Sequence, residues 1–334
     1  MSTYRLTIFP YLGYRGVTHL WGKVYCWNYY DACNEYIHDP ILRSEVTRAI
    51  EVDEHPEWVN VLWEGDDVTG RTISSNHQIR KVQLLLMFCT IARGNVYQDD
   101  KLWSSSDHFS FTSLRVIAGS TKFEYKLNPI FKRLKQSFPL RKGAIQTPKH
   151  IALRTPNNAK FDEELLSALM KLEKKNHGQM SRIYNALEML FSVMINSNLT
   201  PNSTILIILV AAFENLFISD RRGVKGELDR VYLGSKKYRN KYENRTGQLQ
   251  PDIPHTSIAI WYEHLCRARN RVTHGKEILQ KHASYGPQSH RYIALLVLIS
   301  CVKHILANEI GISLSGHVIR FKARDGKLWF EYRK

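Results

Sequence analysis

Side chains suited to acid–base and phosphate chemistry are concentrated in one short stretch, Arg267 to Gly275. Within it Asn270 directly follows Arg269, and His274 lies five positions beyond that arginine. An imidazole can move a proton to or from a ribose 2′-hydroxyl or a leaving 5′-oxygen. A guanidinium can stabilise the charge that develops on a phosphorane. The stretch therefore suits transesterification of RNA, which requires no metal ion because RNA carries its own nucleophile.

The spacing creates a geometric problem if this stretch is one regular helix. Asn270 and His274 are four residues apart and share a helix face. Arg269 and His274 are five apart and diverge by roughly 140°. Two arrangements would bring both side chains to one phosphate: an irregular first turn, or a second chain whose copy of the motif completes the cleft.

Neighbouring residues compete for these roles. Arg267 and Arg271 flank Arg269, so inspection does not single out one arginine. His264 precedes His274 by ten residues and is a second candidate for the titrating group. In a chain with 14 histidines most are structural, and we prefer His274 because of the residues around it.

The composition favours a polyanionic partner. The chain has 334 residues, of which 43% are hydrophobic, enough for one large or two moderate domains. Lysine and arginine number 47 against 31 acidic residues, a formal charge of +16. Nucleic acid is the first candidate and an anionic membrane the second, while a merely soluble basic protein is the alternative.

The cysteines and apolar runs bear on location. None of the five cysteines forms a C-x2-C pair, which argues against zinc, and we expect no metal or other cofactor. The odd count and the lack of a signal peptide predict a cytoplasmic protein. The longest apolar runs, Ile205–Phe213 and Ile293–Ser300, are shorter than the ~20 residues that span a bilayer. We interpret them as buried core helices.

Residues 1–150 have a mixed α/β character. Tyr4–Phe9 and Trp58–Trp63 read as strands, and Gln78–Ala92 as a buried helix or strand. The aromatic residues of Trp21–Tyr30 suit either a core or a stacking platform for bases. This half contains no Walker loop, dinucleotide fingerprint or H-E-x-x-H motif. We therefore predict a sensing or regulatory domain.

The pattern becomes helical after residues 146–160, which read as a linker. Apolar residues recur at helical spacing from Phe161 onwards and again over Met180–Met194. Thr200 is expected to cap the next helix, with Pro201 in its first turn. We predict an all-helical domain over residues 160–312.

The last helix is expected from Gln288 to about Ile310, opened by Pro287. The segment 313–334 then predicts a β-hairpin around Asp325-Gly326, packing on the N-terminal domain and extending its sheet. The predicted fold class is thus α+β: a mixed N-terminal domain, a helical bundle and a C-terminal hairpin.

The central helix carries a carboxylate in apolar surroundings. Glu214 lies among Phe213, Leu216 and Phe217, so it must be neutral or find a partner. One interpretation is a half-exposed residue at a helix end. The other is that Glu214 orients Arg269 across a helix pair.

The segment 221–250 is the most basic, with nine lysines and arginines against three acidic residues and with interleaved tyrosines. Such composition suits a phosphodiester backbone with unstacked bases, and a solvated face is the alternative. The candidate RNA-binding residues are Lys236, Lys237, Arg239, Lys241, Arg267 and Arg271.

The motif also resembles a known family. Arg269-Asn270-x-x-x-His274 matches the signature of HEPN domains. Gly275 and the upstream Ala212-Phe213-Glu214-Asn215-Leu216 resemble the ApeA-like branch, in which a glutamate occupies the place of Glu214. The resemblance covers residues 161–312.

The resemblance implies a homodimeric endoribonuclease of prokaryotic anti-phage defence or a toxin, with an antitoxin or a phage-derived trigger as further partner. His274 would transfer protons, Arg269 would stabilise the phosphate, and Asn270 would set the turn and contact RNA. Two other hypotheses remain: a non-catalytic scaffold that binds RNA or protein, and a DNA-binding regulator. The regulator ranks last because no convincing helix-turn-helix is present.

Overall fold

A computed structural model gives side chains for most of the C-terminal half and mainly the backbone elsewhere. Side chains are described for residues 40, 43, 44, 47, 81–89, 91–92, 161–193, 201–233, 255–278, 282, 284–285 and 289–314, and only the backbone for Thr90, Gln288, residues 76–80, residues 194–195 and the remaining strands. The chain divides into two compact units, Met1–Leu166 and Ser167–Lys334. All other residues lie outside this description, including most of the predicted linker and Lys236, Arg239 and Lys241.

The described part of the first unit includes an antiparallel sheet and a helix of 17 residues. Its strands are β1 Thr3–Phe9, β2 Val17–Trp21, β3 Val24–Asn28, β4 Ile50–Glu51, β5 Asn60–Glu64, β6 Phe111–Ile117, β7 Phe123–Asn128, β8 Phe138–Pro139 and β9 Ile145–Gln146. Seven of them form a sheet in the order β2-β3-β5-β1-β6-β7-β8, and β4 pairs with β9 in parallel. The alternation of Tyr4–Phe9 does mark a strand, β1, and the buried run before Ala92 is a helix, α1, Asn76–Ala92.

Helices dominate the part of the chain with described side chains. They are α2 Glu163–Lys175, α3 His177–Ile195, α4 Asn202–Phe217, α5 Arg221–Val231, α6 Ser257–Thr273 and α7 His290–Ile310. Short strand pairs join β10 Lys237–Tyr238 to β11 His255–Thr256, and β12 Ser284–Tyr285 to β13 Gln288–Ser289. The helical periodicity predicted for this region is therefore confirmed, while the mixed α+β class of the whole chain stays a prediction.

The core of the bundle lies around α4, α6 and α7. Phe213 on α4 packs edge-on against Trp261 and Tyr262 of α6, with ring centroids 5.8 Å apart in both pairs. Fully burying such rings contributes roughly 1.5–3 kcal/mol each. Because α4 is apolar on nearly every side, it can contact α3, α5, α6 and α7.

Hydrogen bonds at the helix ends define where these elements begin. Asp220 caps α5 by accepting from the Gly223 N–H at 3.0 Å, and Ser289 caps α7 by accepting from the Tyr292 N–H. The predicted cap of α4 was displaced by one residue: Pro201 occupies the N-cap position without a side-chain hydrogen bond. Thr200, the predicted cap, lies outside the described residues.

The predicted C-terminal hairpin is present as β14 Ile319–Arg324 and β15 Lys327–Tyr332, with Phe321 opposite Phe330. Among the strands that the structure describes, these two pair only with each other. The packing of the hairpin on the N-terminal domain stays a prediction.

The length and apolar composition of α7 raise the question of a membrane span. By length and composition α7 could cross a membrane, and the bent pair α4–α5 passes the same test as one broken span. The apolar window of α7 is 61% buried within the protein, as is typical of a core helix. The helix extends beyond Ile293–Ser300 at both ends, close to the predicted range of Gln288 to about Ile310.

Two glycines are expected to respond to alanine in opposite directions. Gly275 has φ +66°, where a Cβ costs ~1–2 kcal/mol, so Gly275→Ala should lower the free energy of unfolding. Gly226 lies inside α5, where an added methyl group would meet no other atom within 4 Å, so Gly226→Ala should raise it by about 0.5–1 kcal/mol. Urea denaturation of both variants measures this, and stabilisation by Gly275→Ala would contradict the helix end described below.

Candidate functional site

The beginning of α6 is fixed to α5 by one carboxylate. Asp229 accepts hydrogen bonds from the Thr256 N–H at 2.8 Å and contacts the His255 ring nitrogen at 2.6 Å. Burial raises the pKa of Asp229, but the hydrogen bonds from His255 and Thr256 outweigh this and hold it below its ordinary value. The Thr256 hydroxyl in turn accepts from the Ala259 N–H and caps α6.

The end of α6 has the hydrogen bonds of a Schellman motif. The Gly275 N–H donates to the Val272 carbonyl at 2.9 Å, and the Lys276 N–H to the Arg271 carbonyl at 2.8 Å. His274 is the C-cap residue, with φ −100° and ψ 17°, and its side chain is exposed. The Arg269–His274 motif is therefore regularly helical from Arg269 to Thr273 and departs from the helix at His274. The irregular first turn that the sequence left open is not seen.

Asn270 takes part in this turn through its backbone. Its carbonyl oxygen accepts from the His274 N–H at 3.1 Å and from the Thr273 hydroxyl at 3.1 Å. The HEPN resemblance assigned Asn270 the role of setting this turn. In the structure its backbone carbonyl makes these hydrogen bonds, and a residue of any type has such a carbonyl.

Glu214 and Arg269 form an ion pair between α4 and α6. The Arg269 Nη2 lies 3.4 Å from the Glu214 Oε1, and the two side chains are 31% (Glu214) and 25% (Arg269) exposed. The predicted contact across the helix pair is present. The Arg269 side chain is thus partly exposed, and a phosphate could reach it.

The groups buried beneath this pair stay protonated. Burial first, and then the nearby Cys266 and Glu214, raise the pKa of Tyr262 far above its ordinary value. Burial likewise raises the pKa of the Cys266 thiol. Neither group is a nucleophile at neutral pH, because each would have to lose its proton in the core.

The other arginines of the motif have different partners. Arg267 Nε lies 3.2 Å from Glu263 Oε1, one turn earlier on α6. Arg271 donates through Nη2 to the Glu277 carbonyl at 3.4 Å. Arg267 and Arg271 therefore contact groups of their own segment of the chain. Among the described contacts of these three arginines, the one with a carboxylate of another helix is made by Arg269.

A buried carboxylate that sequence reasoning overlooked lies next to this site. Glu263 is 7% exposed and is surrounded by Arg221, Lys225 and Arg267. Arg221 Nε is 3.1 Å and Lys225 Nζ 3.5 Å from the Glu263 Oε2. Glu263 and Arg267 are four residues apart, a spacing that predicts an ion pair along one helix. No local spacing in the sequence predicts that Arg221 and Lys225 of α5 contact Glu263.

His264, the competing histidine, belongs to the core. Its ring stacks on that of His290, 5.4 Å away, and His290 accepts a hydrogen bond from the Trp261 indole N–H at 3.0 Å. Burial first, then His282 and Arg267, lower the pKa of His264. Ten residues also separate it from His274, about 15 Å along α6. The structure therefore does not bring His264 to the end of the helix.

The predicted RNA-binding residues that the structure describes lie near opposite ends of α6. The backbone of Lys237 pairs with Thr256 at the beginning of the helix, while His274 lies at its end. Seventeen residues of helix separate these points by about 25 Å. Lys237 is therefore distant from the motif, whereas Arg267 and Arg271 lie within it.

An open groove of about 570 Å³ borders Glu214, the partner of Arg269. It is lined by Ser181, Arg182, Asn185, Glu214, Asn215, Ile218, Ser219 and Asp220. Ile218 has φ +47° in a left-handed turn that ends α4. Such polar walls could hydrogen-bond a ribose or a base. In the described part of the chain, no three His, Cys, Asp or Glu side chains are grouped as metal ligands.

The buried histidines predict a loss of stability in acid. Burial first, and then His264, lower the pKa of His290 to about 3, whereas an unfolded histidine titrates near 6.5. The unfolded chain therefore binds more protons below pH 6.5, and stability is lost as the pH falls towards 3. At pH 5 this costs about 2 kcal/mol for His290. Urea denaturation at pH 7.5 and pH 5 measures this loss in the free energy of unfolding. His290→Asn should reduce the difference between the two pH values, and an unchanged difference would contradict the role of His290.

The Glu214–Arg269 pair should contribute little to stability. Both side chains are partly exposed, and such pairs contribute ~0.2–1 kcal/mol. A double-mutant cycle of Glu214→Gln and Arg269→Gln should therefore give a coupling free energy below about 1 kcal/mol. A coupling of several kcal/mol would mean that the pair is needed chiefly to hold the bundle together.

Comparisons with protein-family models, with curated proteins and with solved structures find no match to this chain.

Proposed function

We propose that this chain is a metal-independent endoribonuclease that cleaves RNA by attack of a 2′-hydroxyl on the adjacent phosphorus. The products would carry 2′,3′-cyclic phosphate and 5′-hydroxyl ends. One observation carries the proposal: an exposed His274 ends α6 within two turns of Arg269, whose guanidinium is oriented by Glu214. Imidazole and guanidinium are the groups that this reaction uses.

The reaction needs two proton transfers. The 2′-hydroxyl loses its proton to a neutral imidazole as the oxygen attacks, and the departing 5′-oxygen takes a proton from an imidazolium. Arg269 would stabilise the charge of the phosphorane between these steps. A single His274 cannot be neutral and protonated at once, so a concerted reaction requires a second proton-transfer group, for which another imidazole would serve.

A homodimer would supply the second imidazole and relieve the angular problem. Residues 269–273 are regularly helical and His274 directly follows them, so helical spacing alone would point Arg269 and His274 about 140° apart on α6. A two-fold axis near the end of α6 would place the His274 of one protomer opposite the Arg269 of the other in an isologous interface. This arrangement follows the HEPN resemblance of the motif.

The rest of the chain would regulate this nuclease. We propose an α+β organisation: a mixed sensing domain over residues 1–150, a HEPN-like nuclease over 160–312, and the hairpin of 313–334 packed on the sensing domain. The protein would act in the cytoplasm, away from membranes, in prokaryotic defence against phage or as a toxin. An antitoxin or a phage-derived molecule would control it.

One observation favours a second function, a non-catalytic scaffold that binds RNA or a partner protein. Arg269 is only a quarter exposed, it bridges α4 and α6, and its Nε is buried without a hydrogen-bond partner among the described residues. A motif arginine in such a place could serve the bundle alone. Arg269→Ala would then lower stability and leave RNA affinity unchanged.

The test is cleavage of end-labelled RNA in excess EDTA, with the new 3′ ends identified chemically. His274→Ala should reduce the rate at least about 100-fold, the lower range for loss of a general acid or base. His177→Ala is the matched control. His177 is an exposed histidine at the beginning of α3, and its ring contacts Glu173 of α2. Its rate should equal that of the unaltered protein.

Each result has a distinct meaning. Cleavage that survives His274→Ala would remove His274 from the mechanism. Binding of RNA without cleavage by the unaltered protein would favour the scaffold. Ends with a 3′-hydroxyl would exclude transesterification through the 2′-oxygen.

A further inference from the structure

We infer that Arg221, Lys225 and Arg267, gathered on the buried Glu263, form a subsite that binds a backbone phosphate of the RNA. We call these four residues the Glu263 cluster. The inference rests on the proposed function for the identity of the ligand, a single-stranded RNA, and adds a binding site outside the Arg269–His274 motif.

The cluster carries more positive charge than its carboxylate needs. One cation neutralises a carboxylate, yet three lie within hydrogen-bonding or ion-pair distance of Glu263. Two positive charges remain in excess. A phosphodiester is an anion that two or three cations can bind through its free oxygens.

The cations are ordered but accessible. The side chains of Arg221, Lys225 and Arg267 are 33%, 19% and 42% exposed, whereas the Glu263 side chain is 9% exposed. The carboxylate thus lies below the surface and the donors lie above it. Because Glu263 already holds the three side chains, less conformational entropy is lost when an anion binds.

The cluster shares a face of α6 with His274. Arg267 and His274 are seven residues apart, which on a helix is close to two full turns and about 10 Å along the axis. Arg269 points in a different direction, towards Glu214 of α4. An RNA strand lying along this face of α6 would therefore contact the Glu263 cluster and His274 of the same protomer.

Electrostatic crowding within the cluster agrees with an anion site. Burial first, and then the charges of Arg221 and Arg267, lower the pKa of Lys225, and the carboxylate of Asp229 offsets part of this effect. Burial first also lowers the pKa of Arg221, and the charges of Arg267 and Arg269 lower it further. A bound phosphate would relieve this repulsion.

The experiment measures binding of the full chain to a short 2′-O-methyl oligoribonucleotide, which lacks the nucleophile and cannot be cleaved. Fluorescence anisotropy gives the affinity over a range of KCl concentrations. Lys225→Met is compared with Arg222→Met, which removes one charge from the same helix at an exposed position. Thermal denaturation checks that both variants are folded.

Lys225→Met should weaken binding several-fold and reduce the slope of log affinity against log salt by about 0.7, the value for one phosphate contact on a single strand. Arg222→Met should change the slope by much less. Equal effects of the two variants, or no binding by the unaltered protein, would overturn the inference, because a general positive field does not distinguish neighbouring positions.

Glu263→Gln gives a change of opposite sign. The isosteric amide removes the negative charge but keeps an oxygen that the three side chains can still hydrogen-bond, so affinity for the oligonucleotide should rise while thermal stability falls. A folded Glu263→Gln variant with weaker binding would contradict the subsite. If this variant does not fold, Arg267→Met replaces it, with a loss of binding expected as for Lys225→Met.

The two proposals can fail separately. A protein that passes the binding test but does not cleave RNA keeps the Glu263 cluster and loses the nuclease. A protein that cleaves through His274 while Lys225→Met and Arg222→Met behave alike keeps the nuclease and loses the subsite.

Discussion

The burial of the Glu263 carboxylate is the constraint on which the site depends. A carboxylate that is 7% exposed must have cationic partners, because an isolated buried charge costs several kcal/mol. Arg221 and Lys225 of α5 meet this need, so α5 is held against α6. Asp229 joins the same two helices at the other end of α5, through Thr256. Two separate polar contacts thus fix the orientation of α6, and with it the position of His274.

A division between neutral core groups and exposed polar groups follows from the same packing. His264 and His290 are stacked among aromatic rings and stay uncharged near neutral pH, since burial lowers the pKa of both. Tyr262 and Cys266 keep their protons because burial raises the pKa of each. His274 lies instead at the exposed end of α6. The chemistry proposed for the chain therefore falls on a helix end, where a Schellman motif holds the backbone and leaves the side chain in water.

The charges around α6 serve its two faces differently. On one face Glu214 holds Arg269 against α4, and on the other Glu263 holds Arg267 with the cations of α5. Both carboxylates position arginines without cancelling all of the surrounding positive charge. This arrangement agrees with the proposal that the chain, whose formal charge is +16, binds a polyanion along α6.

Local patterns in the sequence determined much of this protein. The alternation of Tyr4–Phe9 predicted β1, the apolar periodicity after Phe161 predicted the helices, and Asp325-Gly326 predicted the hairpin. Such signals depend on residues a few positions apart, because strand and helix periods are short. The ends of elements were less certain: Pro201, rather than Thr200, occupies the N-cap position of α4.

Only the tertiary structure decided which charges meet. Arg221 lies 42 residues from Glu263, and Glu214 lies 55 residues from Arg269. The sequence suggested the second pair through the apolar surroundings of Glu214, but contained no signal for the first. Burial separated His264 from His274, although both are histidines near the same helix. Contacts and burial of this kind depend on the angles at which helices pack, which a pattern of neighbouring residues does not specify.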